Sequence, residues 1–255
     1  MDILVTNDDG LFSDGIAVLA EVAARLGTAW TVAPAEEQSS KGHGFTLYEP
    51  LMVEAHGERR WSVSGTPADC AYTAIHGILP VKPSLCLSGI NHGSNIGCDV
   101  HYSGTVAAAM EACFQGVPAI AVSMAAGKDK RFTHFETAAH VVETIAKQML
   151  ERGFPRHVVL SINTPDVPLS ELKGIRATTQ GWRTFKPQVD MRESPRGQRY
   201  CWIGGPHAHF DPIPGSEGPL VAQGYATVTP LHTDMTHHAF AESMKSWVDS
   251  EAPIG

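Results

Sequence analysis

The sequence predicts an α/β fold, a mainly parallel sheet flanked by helices, with a C-terminal hairpin and helix extension used in oligomerisation. Three observations predict it. Strand-like apolar runs alternate with helix-periodic segments through the first two-thirds of the 255 residues, the rhythm of successive βα units. The first apolar run, Ile3-Leu4-Val5, breaks at once into Thr6-Asn7-Asp8-Asp9-Gly10, as a buried strand does when it delivers polar groups to a sheet edge. After Pro165 glycine, proline and aromatic residues rise and helical periodicity fades until the final segment.

The elements follow in order. Residues 2–6 read as a strand. Residues 16–26 read as a helix, with Ile16, Leu19, Ala20 and Ala23 on one face and Gly27 as its stop. A second strand over 30–33 is closed by Pro34. Gly65-Thr66-Pro67 opens a helix over 67–78, with proline in its first turn. A strand over 85–88 ends in Gly89-Ile90-Asn91, and the alanine-rich helix over 105–114 is stopped by Gly116. A strand over 119–124, a long helix over 134–151 and a strand over 158–162, running into Asn163-Thr164-Pro165, complete a core of residues 1–165. In the extension, 166–255, segments 175–181 and 199–204 are expected to pair as arms of a long antiparallel hairpin, with a charged stretch from 186 to 197 between them. Such a hairpin is poorly buried alone, so it is expected to pack on a partner subunit, with Trp182, Phe185, Tyr200 and Trp202 supplying apolar contact. A strand over 225–229 and a helix over 236–249 end the chain.

Composition narrows the function. Hydrophobic residues make up 43%, and 19 basic against 27 acidic residues give a formal charge of −8. That disfavours binding a nucleic-acid polymer, which requires clustered Lys and Arg, while leaving room for a small phosphorylated substrate held by a metal and backbone amides. No run of about 18 apolar residues occurs, so no membrane span is expected. With a strand beginning at Asp2 no leader peptide is expected, and the five cysteines, odd in number and without CxxC spacing, suit a reducing cytoplasm.

The chemistry lies just after the strands. Asn7-Asp8-Asp9-Gly10, Gln38-Ser39-Ser40-Lys41-Gly42-His43-Gly44 and Ser88-Gly89-Ile90-Asn91-His92-Gly93-Ser94-Asn95 fall at one sheet edge if their strands are parallel. Adjacent carboxylates repel unless a cation or proton sits with them. Carboxylate, hydroxyl and amide oxygens are hard ligands suited to Mg²⁺, Mn²⁺ or Ca²⁺, although Asn, Asp and Gly also favour a plain solvated turn. Ser103-Gly104-Thr105 opens a helix, which offers N–H groups and a positive dipole end to a phosphate or merely caps the helix. Metal and anion pocket together suggest phosphate-ester hydrolysis. His43 and His92 lie near enough for substrate contact, with His92 the choice for a general acid. His207-x-His209 reads as a strand partner or surface loop rather than a metal site.

These segments resemble the SurE (survival protein E) nucleotidases. The resemblance rests on Ile3-Leu4-Val5-Thr6-Asn7-Asp8-Asp9-Gly10, Val32-Ala33-Pro34, Gly65-Thr66-Pro67-Ala68-Asp69-Cys70, Ser88-Gly89-Ile90-Asn91 continuing to Asn95, Gly97 and Asp99, Ser103 through Glu111, and Gly224-Tyr225 through Leu231. It implies a Rossmann-like core whose C-terminal extension is exchanged between subunits of a homodimer or homotetramer. It implies a phosphatase of nucleoside monophosphates, with possible exopolyphosphatase activity, dependent on one divalent ion per subunit, Mg²⁺ or Mn²⁺. By resemblance that ion is held by Asp8, Asp9, Ser39 and Asn91. The phosphate pocket is formed by Asn95, Ser103, Gly104 and Thr105, with Asn7 and Gly10 in its wall. The expected mechanism is attack by metal-activated water, with Asp8 and Asp9 holding the ion and one of them accepting the proton; an aspartyl-phosphate route with Asp8 or Asp9 as nucleophile is the alternative. The chain departs from the family at Ser39-Ser40, where Ser-Gly is usual, and at Ser216-Glu217, where Thr-Asp is usual. Two other function classes remain: a nucleotide-binding regulator that has kept the pocket without catalysis, and an NAD-type oxidoreductase, for which strand 1 lacks the GxGxxG fingerprint.

Overall fold

The computed structural model describes residues 1–126, 132–185, 188–204 and 208–249. Its core elements are β1 (Asp2–Thr6), α1 (Asp14–Leu26), β2 (Thr28–Pro34), β3 (Val53–Ala55), β4 (Arg60–Val63), α2 (Pro67–Thr73), β5 (Leu85–His92), α3 (Gly104–Phe114), β6 (Ala119–Ala125), α4 (Phe135–Arg152) and β7 (Val158–Pro165). Beyond them lie β8 (Ile175–Ala177), β9 (Arg183–Phe185), β10 (Val189–Glu193), β11 (Arg199–Ile203), β12 (Ala208–Phe210), α5 (Glu217–Ala222), β13 (Ala226–His232) and α6 (His238–Val248). A nine-stranded sheet runs β3-β4-β2-β1-β5-β6-β7-β13-β8. From β4 to β7 every neighbouring pair is parallel. β13 joins β7 antiparallel and β3 joins β4 antiparallel.

Apolar runs form these strands because both sheet faces are covered. Ile3, Leu4 and Val5 are fully buried, each contributing about 1.5–3 kcal/mol on leaving water. On one face they meet Leu19 and Val22 of α1 and Val142 of α4. On the other lie Cys70 of α2 and Val106, Ala109 and Ala112 of α3. Helix α2 starts sharply because Thr66 and Asp69 form a reciprocal capping box with Pro67 in the first turn. It then widens into a π-helical turn over Ala74–Ile78, where the sequence predicts unbroken α-helix.

From β1 the sheet grows outward through β2 and β4. The chain then crosses to β5 on the other side of β1 and continues to β6 and β7. The order therefore reverses between β1 and β5, and such a switch point opens a crevice beyond the strands' carboxyl ends. It sets the Asp8-Asp9 turn beside the end of β5.

Strands β3 and β4 occupy a region for which the sequence predicts no element; they are short, and β3 is exposed along its whole length, so no alternation marks it. The expected hairpin arms need correction. Ile175–Ala177 pairs with β13 as the last strand of the main sheet, and 199–203 pairs instead with β10. β9 pairs with β12, so beyond the main sheet there is a two-stranded ribbon, β10-β11, with the β9-β12 pair at its root. Ile175 is only partly exposed and packs against the core cluster; that contact draws it into the sheet. Lys186, in the charged stretch of the expected hairpin, and His207, of the His207-x-His209 pair, lie outside the described residues.

Glu217 ties the C-terminal segments to the core. It is 1% exposed, and its carboxylate accepts from Gly97 N–H at 2.8 Å, Thr229 Oγ1–H at 2.9 Å and Asn163 Nδ2–H at 3.5 Å. Burial outweighs these donors and raises its pKa from 4.5 to about 7. Between those values the folded chain keeps a proton that the unfolded chain has lost, so stability falls as pH rises through this window and levels off above it. Glu217→Gln is expected to match wild type near pH 4 and to exceed it by about 2–3 kcal/mol above pH 7, as urea denaturation across that range would measure.

Candidate functional site

The turn after β1 is built by Asn7. Its side chain is buried, and Nδ2 donates to Gly10 O at 2.9 Å and to Ser13 Oγ at 2.8 Å, which links the turn to the start of α1. Backbone bonds from Leu11 N to Pro34 O and from Gln38 N to Asp8 O bring the loop after β2 against the same turn. Asn7 and Gly10 thus shape the turn from behind, and neither lines the cavity described below.

Asp8 points the other way, toward the start of α3. Its side chain accepts from the hydroxyl and the backbone N–H of Thr105. Thr105 is fixed in turn by Ser88 Oγ–H, which donates to its carbonyl at 2.7 Å. This approach requires glycine at 104: a Cβ there would sit 2.7 Å from the Asp8 Cβ and 2.9 Å from Pro67 Cγ. Burial pushes Asp8 up to about 6; Thr105 opposes that shift and the Asp9 charge adds to it. A buried carboxylate beside a second one, with a helix start as its main protein partner, is an environment that a cation would relieve.

Strand β5 supplies the opposite wall. Its register with β6 shifts between Ser88 and Asn91, a bulge that re-aims the strand end. Asn91 Nδ2 donates to Gly93 O at 2.7 Å, which fixes its amide. His92 N–H donates to Asp9 Oδ2 at 3.2 Å, with the imidazole Nδ1 3.6 Å from the same oxygen. The hydrogen bond to Asp9 raises the His92 pKa despite partial burial, and its ring packs against Phe132 and Phe135. Asn95 is held on three sides. Its N–H donates to Asn163 Oδ1 at 2.9 Å, its carbonyl accepts from Asn163 Nδ2 at 3.1 Å, and its Nδ2 donates to Ser123 Oγ at 2.8 Å.

A cavity of about 470 Å³ unites these pieces, lined by Asp8, Ser39, Asn91, Asn95 and Ser103 together with Ser40, His92, Gly93, Ser94, Asp99, Tyr102 and Arg183. Ser103 caps α3, its Oγ accepting from Val106 N–H at 3.1 Å, yet it also faces the cavity, so capping and ligand contact are compatible roles. Ser39 Oγ–H donates to Glu37 at 2.7 Å. His43 faces elsewhere: it bonds Glu111 at 2.9 Å, stacks on Phe114 and lines a separate, more apolar cavity of about 490 Å³. It therefore lies outside the cavity that Asp8 lines. Asp99 and Arg183 are the lining residues that sequence reasoning missed as site residues. Arg183 is carried in from the ribbon, and nothing in its sequence surroundings pointed to the sheet edge.

Among the described residues no group of three or more His, Cys, Asp or Glu could hold a metal. The available donor set is two carboxylates with amide and hydroxyl oxygens, and such oxygen ligands suit a hard divalent ion.

The family described as Survival protein SurE matches residues 3–187. The 5'-nucleotidase SurE of Pelobacter propionicus is 43% identical over 248 residues, covering 97% of this chain and 100% of that protein. The 5'-nucleotidase SurE of Geobacter sulfurreducens is 42% identical over 247 residues, covering 97% of this chain and 94% of that protein. The crystal structure of the SurE protein from Aquifex aeolicus superposes with a TM-score of 0.84 at 39% identity, covering 96% of this chain and 99% of that one.

Two backbone positions carry testable weight. Ser40 holds φ at +61°, a conformation that costs a side-chain-bearing residue about 1–2 kcal/mol. Ser40→Gly is expected to leave stability unchanged or raise it by up to about 1 kcal/mol, net of glycine's entropy. Gly104→Ala, by contrast, is expected to cost about 1–3 kcal/mol by overpacking against Asp8. Chemical denaturation of the two variants measures both effects.

Proposed function

The chain belongs to the SurE family, and from that membership and the geometry of its crevice we propose that it is a divalent-metal-dependent phosphatase of nucleoside monophosphates. We take 5'-monophosphates as its main substrates, with 3'-monophosphates and polyphosphate ends as further ones. The observation that carries the reading is the buried Asp8 beside Asp9 at the sheet's switch point, sharing one cavity with the start of α3. The relatives' name, 5'-nucleotidase, supports the choice of substrate.

Asp8, Asp9, Ser39 and Asn91 would hold the ion, Mg²⁺ or Mn²⁺, one per subunit. Bound there, the ion would supply Lewis-acid polarisation of a phosphoryl oxygen and of the attacking water. The protein's own residues do the rest. Thr105 orients Asp8 through its hydroxyl and N–H. The α3 start, with Ser103 and Asn95, faces charge that develops on the equatorial phosphoryl oxygens. Asp9 keeps the His92 ring protonated to higher pH than a free imidazole, and His92 is the cavity group suited to protonate the departing alkoxide.

We also propose that the chain works as a homodimer or homotetramer in which 166–255 is exchanged between subunits around the 1–165 core. The ribbon exposes Val189, Met191, Trp202 and Ile203, an apolar load suited to a partner surface. A monomer by light scattering at micromolar concentration would overturn this. Cytoplasmic residence fits the buried thiols of Cys70 and Cys86, and cell fractionation checks it; among the described residues no helix is long and apolar enough to cross a membrane.

The deciding assay is phosphate release from nucleoside 5'- and 3'-monophosphates with Mg²⁺, Mn²⁺ or EDTA. Release that needs metal and falls at least about 100-fold in Asp8→Asn is the expected outcome. Absence of release with every metal would leave a nucleotide-binding role.

A further inference from the structure

Arg183 stands on β9, at the root of the ribbon, yet lines the same cavity as Asp8, Asn95 and Ser103. It is the only lysine or arginine among the described lining residues. Its guanidinium Nη1 bonds the Asp99 carboxylate, and its Cζ lies over the Phe210 ring, 5.3 Å from the centroid. The Arg183 and Asp99 side chains are 20% and 13% exposed. The root is held to the segment that follows Asn95: Gln180 Nε2 donates to Gly97 O at 2.7 Å, and Cys98 Sγ–H to Arg183 O at 3.1 Å. Gly97 makes the fit possible, since a Cβ there would lie 2.8 Å from Arg183 N.

The charge balance of the cavity gives this placement meaning. Asp8 and Asp99 face it and Asp9 stands behind His92, while a phosphate monoester brings nearly two further negative charges at neutral pH. A divalent ion offsets the Asp8-Asp9 pair. The phosphoryl group then needs its own positive partners, and the α3 start supplies only a partial charge. A guanidinium fork matches phosphoryl oxygens in shape and charge. It can also exchange one anionic partner for another without being left unpaired.

We propose that Arg183 is a substrate-binding residue, its guanidinium leaving Asp99 to take the phosphoryl oxygens of the nucleotide. The assignment rests on the nucleotidase reading above. Asp99 then acts as a parking place that keeps the cation aimed at the cavity between turnovers and competes with substrate for it.

A clasp that only fastens the ribbon is broken equally from either end, whereas a substrate ligand is not. Steady-state kinetics of the metal-loaded full chain on a nucleoside 5'-monophosphate, for Arg183→Gln, Arg183→Lys and Asp99→Asn, therefore separates the two. Arg183→Gln is expected to raise KM at least tenfold with a smaller change in kcat. Arg183→Lys is expected to fall between it and wild type, and Asp99→Asn to lower KM two- to fivefold. Equal losses in Arg183→Gln and Asp99→Asn, or an unchanged KM in Arg183→Gln, would overturn the proposal. Calorimetric titration with inorganic phosphate gives a second readout. Binding at least tenfold weaker in Arg183→Gln supports the assignment, and equal binding overturns it, even if wild type releases no phosphate and the nucleotidase reading itself fails. If Arg183→Gln does not fold, the Arg183→Lys and Asp99→Asn comparison decides.

Discussion

The buried Asp8 carboxylate, set beside Asp9 at the carboxyl end of β1, is the constraint around which the site is arranged. It must be brought out of water, held against a like charge and given donors. Each neighbouring feature answers one of these demands. The α3 start comes close enough to donate only because residue 104 has no side chain. Ser88 fixes the Thr105 carbonyl, and the loop after β2 closes over the turn through Gln38 N and Asp8 O. Asp9 is drawn off toward His92. A fold that buries Ile3, Leu4 and Val5 on both sides of the sheet gives the turn a rigid base, so the cost of a largely buried carboxylate pair is met by packing elsewhere.

The C-terminal third is bound into that arrangement. Asn163, at the end of β7, holds both backbone groups of Asn95. Glu217 reaches the next turn through Gly97 N–H and returns to Asn163 and Thr229. The ribbon root sits on Gly97 and Cys98. One wall of the cavity is therefore supported through a polar network by residues 68 to 120 positions away in sequence. The Glu217 carboxylate reaches Gly97, Thr229 and Asn163 together from the short helix α5.

Much of this was legible in the residues. The apolar runs of β1, β2, β5, β6 and β7 and the periodicity of α1 and α4 mark a parallel sheet with two covered faces, because burial on both sides leaves strands without alternation. The clusters after the strands mark the site, because parallel strands place their carboxyl ends together. Asp8, Ser39, Asn91, Asn95 and Ser103 share the cavity, and Gly104 and Thr105 stand behind Asp8 as the helix start that supports it. Less legible were β3, too short and exposed for a pattern, and the partners of Ile175–Ala177 and β11. Strand pairing in Gly- and Pro-rich segments is weakly written in local sequence, since many registers satisfy the same few residues.

The sequence by itself determined the βα alternation, the carboxylate pair at the first strand end and the helix start that faces it, because these depend on periodicity and on neighbours within a few residues. Only the tertiary structure decided that His43 turns away to Glu111, that Asn7 works behind the turn rather than in the cavity, and that Arg183 and Asp99 meet inside it. Those outcomes depend on which distant backbone comes within hydrogen-bonding range, and that is set by how the whole sheet, its helices and the ribbon root close on one another.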